Sequence, residues 1–185
     1  MHRRHGSTAS WKDPLAWEDL QHVLAAYSSS PSHDDLLFVG ILLTGFCALL
    51  CLGELTLPNN KALRNFSKCP LRSSCRLTSN QFDFWLPYHK SNTFFEGNRV
   101  VVLQHLCRPD TLTAMRCYLV SRDTLFPLHP WLWMTASGCP PTHAWFICRM
   151  CCFFPSTISG HSLRAGSATA MAEDGATPDL FRATG

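Results

Sequence analysis

Ten cysteines in 185 residues raise metal binding as the first chemistry to weigh. The best-spaced group is Cys139, His143, Cys148 and Cys151, where Cys-x-x-Cys sets two sulfurs at the spacing a single tetrahedral ion takes. No second Cys-x-x-Cys accompanies it, and the helical pattern of HAWFICRMCCFF accounts for the same residues as core packing. The pairs Cys47/Cys51 and Cys69/Cys75 fit no compact ligand signature, so the expected complement is no metal and no cofactor, with a small zinc-binding interaction module as one alternative. Two other patterns carry charge: His161-Ser162-Leu163-Arg164, followed by a small-residue stretch and Gly175, and Lys90 within YHKSNTFFEG. Alone, His-x-x-Arg reads as a solvated helix face and a loop lysine as a solvated cation. Both take meaning only from their neighbours.

The elements that must position these residues follow from periodicity. Residues Asp13 to Tyr27 show Asp before Pro, acidic early turns and a Leu15, Leu20, Val23, Leu24 stripe, which predicts a helix starting at Asp13. SSSPSHDD, Ser28 to Asp35, is a turn-rich linker into an apolar helix over Leu36 to Leu57. Past Pro58 the runs around Leu71 to Ser79, Gln81 to Pro87 and Asn98 to Gln104 are rich in β-formers and predict three strands of a small antiparallel sheet, with Lys90 on the loop between the second and third. Helical character returns over Thr111 to Phe126, and two prolines interrupt LFPLHPWLW. A helix follows Pro141 and Thr142, another spans the His161 region, and a last one is capped by Thr177 and Pro178. The expected class is α+β, mainly α-helical with one small three-stranded antiparallel sheet inserted.

Composition bounds the rest. With 46% hydrophobic and 16% charged residues the chain is foldable as one domain, and a formal charge of +3 is compatible with a polyanion without identifying one. The basic N-terminus has no apolar stretch behind it, so secretion and disulfides are not expected. Leu36 to Gly53 contains no charged residue and sits at the length threshold of a membrane span, although Lys/Arg and aromatic flanks are missing. A single-span anchor is therefore the second alternative. A buried central helix is the reading preferred to it.

Taken in order, TGFCALLCLGELTL, Lys90 on a strand-to-strand loop, and GHSLRAGSATAMAEDGATPDLFRATG resemble the catalytic domain of tyrosine recombinases, the phage-integrase-like DNA breaking and rejoining enzymes. The wording is close to the variety carried by mobile elements in eukaryotic genomes. The resemblance covers Lys12 to Gly185 and implies a disordered tail over 1–11 and a recombinase-like domain over 12–185. In such enzymes a tyrosine hydroxyl attacks a DNA phosphate, and preorganised cations stabilise the charge that develops on its oxygens. The resemblance implies that Arg164 is the second of two clamping arginines, that His161 hydrogen-bonds the same phosphate, and that Lys90 protonates the departing sugar oxygen.

Two departures qualify the implied activity. Where the family has an arginine three residues ahead of a glutamate, this chain reads Leu50, Cys51, Leu52, Gly53, Glu54, so Cys51 stands at the place of the first arginine. A thiol has one weak donor and no fixed charge, and losing such a stabiliser costs roughly 10²–10³ in rate. The sequence also stops at Gly185, ahead of the family's histidine or tryptophan and its tyrosine nucleophile; Tyr27, Tyr88 and Tyr118 all precede His161. The expectation is a catalytically inactive remnant lacking its C-terminal helices, binding DNA weakly and largely without sequence preference. Self-association through apolar surface left uncovered, an intracellular location that is nuclear in a eukaryote, and no membrane complete it.

Overall fold

The computed structural model describes residues 13–28, 31–87, 97–104, 110–155 and 157–173. The tail over 1–11, the loop carrying Lys90, and the helix expected at Thr177 lie outside the described residues. Among the described residues there are six α-helices: α1 (Trp17–Ala26), α2 (His33–Cys47), α3 (Leu52–Leu55), α4 (Thr111–Leu125), α5 (His143–Met150) and α6 (Gly160–Glu173). Between α3 and α4 come three one-turn 3₁₀ helices, Lys61–Leu63, Phe66–Lys68 and Arg72–Ser74, and then the strands β1 (Arg76–Leu77), β2 (Gln81–Leu86) and β3 (Asn98–Leu103). The strands form an antiparallel sheet in the order β1-β2-β3, with Asp83 opposite Val101 and Phe84 opposite Val100. The α+β class expected from the sequence, mainly helical with a small inserted sheet, is the class observed.

α2 is the axis of the core. Its start is fixed by reciprocal capping, in which Asp35 donates its N–H to Ser32 Oγ at 3.2 Å while the Asp35 carboxylate accepts the Ser32 N–H at 3.0 Å. Every residue from Leu37 to Phe46 is buried, because α4 and α6 pack on it and α1 lies beside it. The chain then turns sharply. Leu49 adopts a left-handed φ of 53°, and the Leu50 N–H donates to the Gly45 carbonyl at 3.0 Å, closing the end of the helix. The expected single helix over Leu36 to Leu57 is therefore two helices with a break. Among the described residues no helix is long and apolar enough to cross a membrane.

Other boundaries also move. α1 begins at Trp17, not Asp13, because Leu15 is held in an extended segment by donating its N–H to the Ser162 carbonyl at 3.2 Å. Capping passes to Asp19, whose carboxylate accepts the Ala16 N–H at 2.8 Å. β1 is two residues long, since Arg72–Ser74 coils ahead of it, and α5 stops at Met150 instead of running on to Phe154. Buried Phe82, Phe84, Leu86, Val100 and Val102 turn one sheet face to the core, leaving Trp85, Val101 and Leu103 exposed on the other. The proline-interrupted stretch after α4 is tied down by Arg122, only 1% exposed, which donates to the carbonyls of Phe126, His129 and Trp131 and to the Asp123 carboxylate.

Candidate functional site

Close backbone approach sets the position of α6. A Cβ on Gly166 would lie 2.1 Å from the Leu15 carbonyl oxygen, so only glycine admits the extended segment ahead of α1 at this point. At the other end of α6, Gly160 sits over Leu52, whose side chain would be 2.9 Å from an added Cβ. Leu163 and Ala170 are buried, while Ser162 and Ser167 fill the same inward face with little volume. His161 and Arg164 stand one turn apart on this helix; His161 is exposed and Arg164 is half-buried.

Cys51 is brought to Arg164 by the break after α2. The left-handed turn at Leu49 leads into extended Cys51, which opens α3 with its N–H donated to Glu54 Oε2 at 2.7 Å. Glu54 in return donates its N–H to the Cys51 carbonyl at 2.9 Å. This fixes the Cys51 side chain toward α6, and Arg164 Nη1 donates to Cys51 Sγ at 3.3 Å. Two residues separated by 113 positions and expected to share a site are in direct contact.

A cavity of about 370 Å³ opens beside Cys51. Cys51, Gly53, Glu54, Asn65 and Lys68 line it together with Leu57, Pro70, Trp133 and Pro140, which supply apolar surface. His143 approaches Gly53, with its Nε2 at 3.7 Å from where a Cβ would be. That ring nitrogen is buried without a partner among the described residues, and burial holds the imidazole below its ordinary pKa, favouring the neutral ring. Lys68 and Asn65 were not anticipated as neighbours of Cys51. The signal available for them was the absence of any carboxylate between Glu54 and Asp83.

Lys90 and Tyr88 lie outside the described residues. Tyr118 is fully buried, with its hydroxyl donating to the Leu132 carbonyl and accepting the Met134 N–H, each at 2.8 Å; burial raises its pKa, and the hydroxyl is committed to the core. Tyr27 packs edge-on against Phe38 and Phe153. Among the described residues no group of three or more His, Cys, Asp or Glu side chains is placed to hold a metal ion, so Cys139, His143, Cys148 and Cys151 do not assemble as ligands. α5 disperses them: Cys148 is exposed on the helix, whereas His143 turns toward Gly53.

Comparison with solved structures decides the architecture. XerH site-specific recombinase, bound to its difH substrate in a pre-cleavage complex, superposes with a TM-score of 0.56 over 94% of this chain at 12% identity. The chain has a tyrosine-recombinase-like fold. FLP recombinase in a complex with a Holliday junction agrees, with a TM-score of 0.57 over 98% of the chain at 11% identity. The chain spans less than half of either protein, 47% of XerH and 44% of FLP. No family model and no curated protein matches the sequence. The recombinase-like fold thus rests on tertiary structure, and Arg164 and Cys51 meet within it.

Proposed function

We propose that this chain is a DNA-binding domain of tyrosine-recombinase descent, of the mobile-element type, that holds a backbone phosphate without cleaving it. The observation that carries this reading is the contact between Arg164 and Cys51. In the sequence resemblance these positions are the two arginine places of one phosphate clamp; here a guanidinium and a thiol occupy them, 3.3 Å apart. One fork of donors remains where two would share the charge. His161, exposed one turn before Arg164, adds a second donor, and the resemblance would bring Lys90, outside the described residues, to the same phosphate. XerH and FLP, the proteins sharing the fold, are both seen bound to DNA, which supports DNA as the partner. A DNA partner implies an intracellular location, nuclear in a eukaryote.

Chemistry of the family type needs a nucleophile and a fully charged clamp. Tyr118 is locked in the core, its hydroxyl committed to backbone groups, and the half-buried Tyr27 ring packs edge-on against Phe38 and Phe153. Replacing the arginine at 51 by a thiol removes the charge that would have met the phosphoryl oxygens. Binding is then electrostatic and reads the phosphate backbone, not base edges.

The test is fluorescence anisotropy of a labelled 30-base-pair duplex titrated with the chain across about 50 to 200 mM salt. Binding should weaken steeply with salt, equally for unrelated sequences, and Arg164→Gln should reduce the log–log slope by about 1. No binding at the lowest salt, or a slope indifferent to Arg164→Gln, would overturn the reading.

A further inference from the structure

The cavity beside Cys51 has a lining unlike that of an anion site, and neither His161 nor Arg164 contributes to it. Its polar side chains are engaged within the protein. Glu54 Oε2 accepts the Cys51 N–H at 2.7 Å, and Thr56 Oγ1 donates to the Leu52 carbonyl at 2.8 Å. Asn65 Oδ1 accepts from Ser67 twice, the N–H at 3.0 Å and the hydroxyl at 2.7 Å. Cys51 Sγ accepts from Arg164, and burial pushes the Cys69 thiol up to about 11, so this second lining sulfur is neutral and only weakly polar. Glu54 and exposed Lys68 bring opposite charges to the lining, which leaves no net attraction for an ion. Leu57, Pro70, Pro140 and Trp133 make the remaining surface apolar. Apolar walls with few polar groups are the usual make-up of a small-molecule pocket.

One donor in this lining is left over. Trp133 is 2% exposed, and its indole N–H is buried with no partner among the described residues. Interiors rarely leave such a donor without an acceptor. The ring's other contacts fix where the N–H points. Tyr118 stacks on the indole at 5.6 Å between centroids, and Cζ3 packs toward α2, 3.8 Å from where a Gly40 Cβ would be. Nε1 lies diagonally across the bicycle from Cζ3, on the side away from α2, where the ring joins the cavity wall. We propose that this cavity binds a compact, uncharged, largely apolar ring compound with one hydrogen-bond acceptor, which takes the Trp133 N–H. An aryl lactone or ketone has that chemistry. An apolar cavity of roughly 150 Å³ admits benzene, so about 370 Å³ leaves room for two or three fused rings. This site goes beyond the DNA-binding reading and does not depend on it.

The probe is coumarin, an uncharged two-ring lactone with a carbonyl acceptor, added to the full chain without DNA. At saturation it should slow alkylation of Cys51 by iodoacetamide severalfold, read by peptide mass spectrometry, and leave exposed Cys148 unaffected. Coumarin-3-carboxylate, the same rings with a negative charge, should not protect Cys51. Trp133→Phe keeps an aromatic ring and removes the N–H. It should weaken coumarin about fivefold, the effect of one lost hydrogen bond, while naphthalene, which has no acceptor, protects Cys51 at the same concentration as before. No protection of Cys51 by coumarin, equal protection of Cys148, or protection by the carboxylate as strong as by coumarin would overturn the proposal. So would an equal loss of coumarin and naphthalene in Trp133→Phe. The protection arms use the unaltered chain, so they decide the matter whatever that substitution does to folding.

Discussion

Arg164 donates from Nη1 to the sulfur of Cys51 across 3.3 Å, joining the first turn of α6 to the residue that opens α3. A guanidinium meeting a neutral thiol is a weak contact compared with a charge-assisted bond to an anion. In the proposed function this pair marks the place of the phosphate.

Restoring the cation at this place has a definite expectation. Cys51→Arg puts a second guanidinium beside Arg164, so the free protein should lose stability through like-charge repulsion. DNA should then stabilise the variant more than it stabilises the wild type, and the salt slope of binding should rise by about 1. Thermal midpoints with and without duplex check the first point and anisotropy the second. Covalently attached DNA recovered from denaturing gels of this variant would contradict the reading that the phosphate is held without cleavage.

Gly166→Ala should be among the most damaging small changes in the chain. The new Cβ would fall 2.1 Å from the Leu15 carbonyl oxygen and 2.6 Å from its nitrogen, both backbone atoms that cannot rotate away. A loss of about 3 kcal/mol or more in urea unfolding is expected. Gly160→Ala should cost less, because the obstructing Leu52 atoms belong to a side chain that can give. Equal losses at the two positions would argue against the close approach of α6 to the segment before α1.

Arg122→Met should cost about 3–5 kcal/mol, although methionine fills similar volume. The side chain is 1% exposed, and its loss strands the carbonyls of Phe126, His129 and Trp131 in the interior. Arg122→Lys should rescue little, since an ammonium cannot span three carbonyls with a planar fork. The urea midpoint measures both.

Stability should fall in two stages as pH drops. His143 is held below its ordinary 6.5 by burial, so the unfolded chain takes up a proton first and stability declines as pH falls from about 6.5 through the folded value. The second stage comes below about pH 4. Bonds from Thr113 hold Asp110 below its ordinary 3.8. At Asp35 and Asp123 burial pushes upward, but hydrogen bonds from Ser32 and Arg149, and from Arg72 and Arg122, outweigh it. These depressed carboxyls contribute stability above about pH 4 that is lost as each protonates. Asp110→Ala should remove about 1 kcal/mol at neutral pH by uncapping α4, and should flatten the acid limb of a melting-temperature profile. His143→Leu should flatten the limb that begins below about pH 6.5.

The sheet was legible because its strands announce themselves locally: β-branched and aromatic residues alternate over Gln81 to Leu86 and Asn98 to Leu103, and the paired residues run without a bulge. α4 and α5 were legible for similar reasons, with Asp110 and Thr142 as their caps. The start of α1 and the end of α2 were not. Asp13-Pro14 has the local chemistry of a helix start, but a long-range bond from Leu15 to Ser162 overrides it, and no local signal carries that information. Leu49 is a poor residue for a left-handed turn, so the break that delivers Cys51 had no propensity to predict it.

By itself, the sequence determined the class of fold, the apolar axis and the order of the charged motifs, because composition and spacing are properties of the chain alone. Only the tertiary structure decided that Cys51 and Arg164 touch and that Lys68 and Asn65 line the cavity beside Cys51. Contact between residues far apart in sequence depends on where whole helices pack, and at α6 that packing turns on the missing side chain of a single glycine.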